Sequence, residues 1–197
     1  MNDKIVYSSN LFQVIERARC NELEVDGRQI KKDIVYELVR RPPGVRAIIF
    51  DKSKILLNQE YRFELDDWDY RLPGGKVFDD AVSYQNALEN NMLKEAIISQ
   101  LKNEVKEEAD IEIISYDFLK KSTCGFTVEW DLYFFTIENF RLLPNFSSQN
   151  LQKSEYEFIS HKWVPFKEAL QLCIDGKISE DRSASILMRF LLSKILI

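Results

Sequence analysis

The chain has 197 residues, 45% of them hydrophobic and 30% charged, with a formal net charge of −5 and a pI near 5.1. That balance belongs to a soluble globular protein with one substantial core, or one domain and an arm. It excludes non-specific nucleic-acid binding, which draws on excess Lys and Arg. A small phosphate compound answers only to the local field, so the acidity does not oppose one. Cys20, Cys124 and Cys173 are scattered and odd in number, and there is a single histidine. No CxxC or Cys/His zinc spacing arises, and reduced thiols in a cytoplasmic protein are expected. Met1-Asn2-Asp3-Lys4 has no basic segment leading into an apolar run, so no signal peptide is expected.

Taken in order, residues 10–40 read as strands. Phe12 to Val25 partly alternates, Asp26-Gly27 makes a hairpin turn, and Ile34 to Val39 follows. Arg40-Arg41-Pro42-Pro43-Gly44 breaks the pattern. Val45 to Phe50 reads as a buried strand, Asp51 to Lys54 as a turn, and Ile55 to Arg62 as the next strand. Val82, Leu88, Met92, Ala96, Ile97, Leu101 and Val105 recur largely at spacings of three and four. They predict one long helix over 82–109, or two helices broken near Asn90-Asn91. Glu112 to Leu119 and Trp130 to Ile137 read as strands, and 139–154 as a polar loop. Lys162-Trp163-Val164 is a short strand, Pro165 opens a helix from Phe166 to Ile174, and a last helix begins near Glu180-Asp181. The closing run from Ile186 to Ile197 is apolar but short and charged. It predicts an amphipathic helix packed on the body and no membrane span. The mixture predicts an α+β fold with a mixed central sheet.

The segment with most chemistry is Asn103-Glu104-Val105-Lys106-Glu107-Glu108-Ala109-Asp110-Ile111, preceded by Glu95 and by Leu72-Pro73-Gly74-Gly75-Lys76. At about 100° per residue, Glu104, Glu107 and Glu108 share one helix face within one turn. Like charges that close repel, and a hard divalent cation with oxygen ligands neutralises them. A solvated acidic face is the plain alternative. The Gly-Gly pair lets backbone approach a ligand closely.

These residues resemble the Nudix box, a metal-binding loop-helix-loop. Gly75, Glu95, Glu104, Val105, Glu107, Glu108 and Ile111 fit its pattern, and Glu95 stands the family's eight residues before Asn103. Three positions depart from it. Asn103 replaces an Arg, so two uncharged donors stand where a charged fork is usual. Asp110 replaces the closing Gly, and Asp tolerates the left-handed conformation better than most residues. Nineteen residues separate Gly75 from Glu95 where the family has five. That insertion of fourteen residues is close to four helical turns at about 3.6 residues each.

From about residue 35 to the C-terminus, further segments resemble the ADP-ribose pyrophosphatase and nucleotide-sugar branch of the family. They are Gln59-Glu60-Tyr61-Arg62, Trp68-Asp69-Tyr70-Arg71-Leu72-Pro73-Gly74-Gly75-Lys76, Cys124-Gly125-Phe126-Thr127-Val128-Glu129, and Trp163-Val164-Pro165 with Glu168-Ala169-Leu170 and Asp175-Gly176-Lys177-Ile178. Arg71 stands where an acid is usual. The resemblance implies an α/β/α sandwich over 43–197 and an N-terminal β arm over 1–42 that joins a homodimer. It implies hydrolysis of the pyrophosphate in ADP-ribose or a nucleotide sugar, giving a mononucleotide and a sugar phosphate. It places Mg²⁺ or Mn²⁺ on Glu104, Glu107 and Glu108, with Gly75 beside them. Glu95 and Asn103 support the box. Arg62 and Arg41 hold phosphate, and Trp68 contacts the substrate. The general base is Glu155 or Glu157, with Glu104 the alternative.

Other readings stand beside these. Arg62 can pair with an acid in 64–69, Arg40 and Arg41 can form a solvated turn, and Trp68 and Tyr36 can serve in packing. His161 reads as an ordinary strand or loop residue, and no chemistry attaches to Cys124. No nucleic-acid or membrane partner is expected. A catalytically weakened domain that binds or senses nucleotides is the alternative function, favoured by Asn103, Asp110 and the insertion.

Overall fold

The computed structural model describes residues 3–144, 152–154 and 157–196. The chain divides into two compact units. The first comprises Met1–Gly44, Lys76–Ala96 and Thr123–Leu132; the second comprises Val45–Gly75, Ile97–Ser122 and Tyr133–Ile197.

The first unit contains strands β1 (Asp3–Ser8), β2 (Gln13–Val25) and β3 (Arg28–Arg40), and helix α1 (Ala81–Glu89). The hairpin between β2 and β3 turns at Asp26 and Gly27, both with positive φ, as the Asp-Gly pair predicts. The short strand β9 (Val128–Glu129) adds to β3 in parallel, completing the order β1-β2-β3-β9. Asp3, Arg17, Arg40 and Glu129 bind these strands together. Arg40, only 5% exposed, donates to Glu129 at 2.7 Å and to Asp3 at 2.5 Å, while Arg17 donates to both acids. The hydrogen bond from Arg17 holds the Asp3 carboxyl down to about 2, against the opposing effect of burial. Burial would raise Glu129, but the bonds from Arg40 and Arg17 outweigh it.

The insertion resolves into two helices rather than one. Helix α1 is capped by Asp80, whose side chain accepts the Ser83 N–H at 2.7 Å. It ends at Asn90, and Asn91 takes φ +55°. Helix α2 (Leu93–Ala109) then starts afresh. Asn in the left-handed region is what allows so sharp a break. Asp110 ends α2 with φ +49°, the left-handed conformation expected at that position.

The second unit is built on a seven-stranded sheet. Its members are β4 (Gly44–Asp51), β5 (Lys54–Arg62), β6 (Asp67–Arg71), β8 (Asp117–Ser122), β10 (Leu132–Ile137), β12 (Gln152–Ser154) and β13 (Glu157–Pro165). The order is β12-β13-β5-β4-β10-β8, with β6 also paired to β5. β7 (Ile111–Ile113) and β11 (Phe140–Leu142) form a separate pair. The expected strand 112–119 is therefore two strands. Ile114 and Ser115 leave the ladder to donate their N–H groups to Asn139 O. Similarly, the expected loop 139–154 contains β11 and β12.

Val45, Ala47, Ile48, Ile49, Ile55, Leu56 and Leu57 are fully buried. Phe50 packs against Phe166 of α3 (Phe166–Ile174) and Phe190 of α4 (Asp181–Ile195). Phe50 pairs with Ile55, three residues from Asn58, and Asn58 meets α2. An odd offset along a strand changes faces. The helices α3 and α4 thus cover one face of the sheet and the C-terminal part of α2 the other. This is the expected mixed α+β architecture of helical layers about a sheet. No helix among the described residues is long and apolar enough to cross a membrane.

Candidate active site

The geometry of α2 grades its three acids. Ile97, Leu101, Val105 and Ala109 form the buried stripe. At about 100° per residue, Glu108 lies roughly 20° from Leu101, Glu104 roughly 60° and Glu107 roughly 120°. Glu108 and Glu104 are accordingly half-buried, whereas Glu107 is exposed. The shared face expected for all three is therefore occupied by two, and Glu107 turns outward with Asn103.

Pro73, Gly74 and Gly75 run beside β4, with Ala47 N–H bonded to Pro73 O and Val45 N–H to Gly75 O. The glycines bring this segment against α2. Gly74 has φ +143° and donates its N–H to Glu108 Oε2 at 2.8 Å. A Cβ on Gly75 would lie 2.0 Å from Glu104 Oε1, so that carboxylate packs directly on the glycine. Glu104 Oε1 also accepts from Gln100 Nε2 at 2.7 Å. Gly75 keeps its place beside the acids despite the insertion, because the extra length folds into α1 before α2 begins.

Strand β5 supplies the floor. Asn58, Glu60 and Arg62 alternate on one face, and Asn58 Nδ2 donates to Glu108 Oε2 at 3.1 Å. Glu60 is 8% exposed and lies 3.3 Å from Arg62 Nη1 and 3.6 Å from Arg71 Nε. Asp69, 2% exposed, accepts from Ser179 N and Oγ and from Arg71. Arg46 donates to Val45 O at 2.8 Å and to Glu180 at 3.3 Å.

These charges do not balance at Glu108. Burial, then the charges of Glu104 and Glu60, push its pKa up to about 8, against the Gly74 N–H and Arg46. Glu108 keeps some surface as a residue; the enclosed part is its carboxyl end, held by two internal donors. Among the described residues, no three His, Cys, Asp or Glu side chains converge closely enough to hold a metal ion as they stand. Protein donors hold the acids instead. The donor set still fits a hard divalent cation: it is all oxygen, and the charges of Glu104 and Glu60 push Glu108 up.

A pH dependence follows. Below about 4.5, Glu108 is protonated in both folded and unfolded chains and contributes nothing. Between about 4.5 and about 8 the unfolded chain releases the proton that the fold retains, so stability falls as pH rises. Above about 8 the loss is complete, of the order of a few kcal/mol. Calorimetry in chelator is expected to show Glu108→Gln gaining on the parent steadily across that range. Parallel curves would mean that Glu108 is ionised throughout.

The other expected site residues are distributed as follows. Arg62 is tied to Glu64 and Glu60, the pairing that the sequence left open. Trp68 is exposed and stands edge-on to Tyr61 at 5.6 Å. Arg41 belongs to the first unit, where its guanidinium lies 4.2 Å from the Trp130 ring and 5.5 Å from that of Phe12. Glu95 is exposed in the first turn of α2. Glu155 lies outside the described residues, and of Glu157 only its place in β13 is described. Sequence reasoning passed over Asn58, Glu60, Asp69 and Arg46. The available signal was polar residues at alternate positions of β5, and a lone Arg inside the apolar run of β4.

No family model and no curated protein matches the chain. Solved structures do. A crystal structure of an ADP compounds hydrolase aligns over 100% of this chain and 92% of its own, with a TM-score of 0.60 and 21% identity. A mutator MutT protein from Bacillus halodurans aligns over 76% of this chain and 82% of its own, with a TM-score of 0.51 and 18% identity. Both are Nudix structures, and the fold of this chain is the Nudix fold.

Proposed function

We propose that this chain is a divalent-cation-dependent Nudix pyrophosphohydrolase acting on ADP-ribose or a nucleotide sugar, releasing a mononucleotide and a sugar phosphate. The observation that carries the reading is the docking of Glu104 and Glu108 onto Gly75 and Gly74 within this fold. Two acids crowded against bare backbone, one of them pushed up to about 8, are poised for a cation and costly without one.

Glu104 and Glu108 would hold Mg²⁺ or Mn²⁺, with Glu107 turning in from the next position on α2. The bound cation supplies charge for the pyrophosphate oxygens and a lowered pKa for the attacking water. The Gly74-Gly75 backbone holds Glu108 and Glu104 close together where the cation would sit. Arg62, already drawn to carboxylates, exchanges Glu64 for a phosphate oxygen; its planar fork suits either anion. Glu155 or Glu157 takes the proton of water, and Glu104 is the acid already in place if neither does. Trp68 offers an exposed ring to the substrate. The reading includes a homodimer through the N-terminal strands, supported by exposed Leu23, Val25, Ile30 and Val35 on β2 and β3.

The second reading is a nucleotide-binding module that does not cleave. It is favoured by the acids that already engage Arg62 and by the outward positions of Glu107 and Asn103. One panel separates the two: ADP-ribose, UDP- and GDP-sugars, diadenosine polyphosphates and nucleoside triphosphates, each with Mg²⁺ or Mn²⁺. Cation-dependent cleavage of the ADP-ribose or sugar compounds is expected. Thermal stabilisation by one compound without cleavage of any would replace the hydrolase with the binding module.

A further inference from the structure

His161 is the only histidine of the chain, and it is 2% exposed. It stands on β13 directly opposite Asn58 of β5, which is fully buried. The two side chains meet, His161 Nδ1 lying 3.1 Å from Asn58 Oδ1. The other end of the Asn58 amide reaches Glu108 Oε2 at 3.1 Å. A buried row therefore runs from the imidazole, through one amide, to an acid of the candidate site.

The direction of the bonds follows from donor chemistry. Glu108 Oε2 accepts the Gly74 N–H at 2.8 Å and the Asn58 amide N–H at 3.1 Å. The NH₂ of Asn58 therefore faces Glu108, and its oxygen faces His161. The Asn58 oxygen needs a donor, so the proton of the neutral imidazole sits on Nδ1. Burial favours that neutral ring, although Asp110 pulls the other way. An amide alone can turn over and present its oxygen to the acid. A histidine that offers only N–H on that side forbids the turn.

We infer that His161 is a positioning residue for the metal site: through Asn58 it fixes Glu108 Oε2 against the sheet and leaves Oε1 for the cation. This rests on the proposed hydrolase reading. Oε2 is held by two donors from different elements, β5 and the Gly74 segment, so the carboxylate keeps one orientation before the cation arrives. Partners of this kind typically govern metal affinity by about 10- to 100-fold.

Two measurements on the full chain test it. The first is the ¹⁵N spectrum of the imidazole in metal-free protein, where a single histidine gives a single ring. Protonated Nδ1 with bare Nε2 is expected, and the opposite tautomer overturns the inference. The second compares Mn²⁺ binding, followed by loss of the free-ion paramagnetic signal without substrate, in the parent, His161→Phe and His161→Asn. Phe fills the space without a donor; Asn restores an N–H near the Nδ1 position. Affinity is expected to fall about 10-fold in His161→Phe and to return within about threefold in His161→Asn, with KM for substrate unchanged. Equal affinities in all three would overturn the positioning role while leaving the hydrolase reading intact. A parent that binds no Mn²⁺ would overturn that reading and this inference with it. If His161→Phe does not fold, the tautomer alone decides.

Discussion

Glu108→Gln is expected to lower kcat by about two to three orders of magnitude while raising the thermal midpoint of the metal-free protein above neutral pH. The amide retains an oxygen for the Gly74 N–H and Asn58 and removes the charge that Glu104 and Glu60 oppose. Activity and stability should thus move in opposite directions, the mark of a group held in place for function at the expense of the fold. The check is turnover of the best substrate in saturating Mg²⁺, paired with calorimetry in chelator. An unchanged kcat would remove Glu108 from the site. A lower midpoint together with a lower kcat would make it an ordinary structural residue.

The two glycines should separate fold from function. At Gly74 a Cβ would lie 2.2 Å from Val45 O, backbone that cannot move aside, and φ is +143°. Gly74→Ala is expected to cost about 3 kcal/mol or more, seen as a lower midpoint in denaturant. At Gly75 the atom in the way is Glu104 Oε1, the end of a flexible side chain. Gly75→Ala should therefore leave stability within about 1 kcal/mol of the parent, because the carboxylate swings away. Moving it should nonetheless lower kcat/KM by about 10- to 100-fold. Equal activity in Gly75→Ala and the parent would mean that Glu104 need not rest on that glycine. Equal stability in Gly74→Ala would mean that the segment beside β4 is looser than its hydrogen bonds imply.

Much of this architecture was legible before any coordinates. Periodicity placed α3 and α4, the Asp-Gly turn placed the β2–β3 hairpin, and Asn90-Asn91 marked the break between α1 and α2. Local chemistry dictates these features, so local sequence reveals them. The misplaced features depend on distant partners. Ile114 and Ser115 leave their strand because Asn139 receives their N–H groups from 24 or more residues away. Arg62 faces Glu60 because β5 alternates and meets Glu64 from the turn that follows, yet whether it reaches acid or phosphate is decided by what the site holds. Helical offsets brought Glu104 and Glu108 together correctly. They did not reveal that Glu107 falls outside the buried arc, which only the position of the apolar stripe decides.

The first unit is stitched from three separated stretches of chain, and its charged knot is completed late. Asp3, Arg17 and Arg40 leave the ribosome early, but Glu129 trails Arg40 by 89 residues. At roughly 5 to 20 residues per second, that is an interval of about 5 to 20 s. During it two arginines share one acid, and β3 waits with an open edge for β9. The nascent chain is thus most exposed to mispairing between the emergence of β3 and that of Glu129. Slowing translation anywhere in the intervening stretch is expected to lengthen that window, without altering a single side chain.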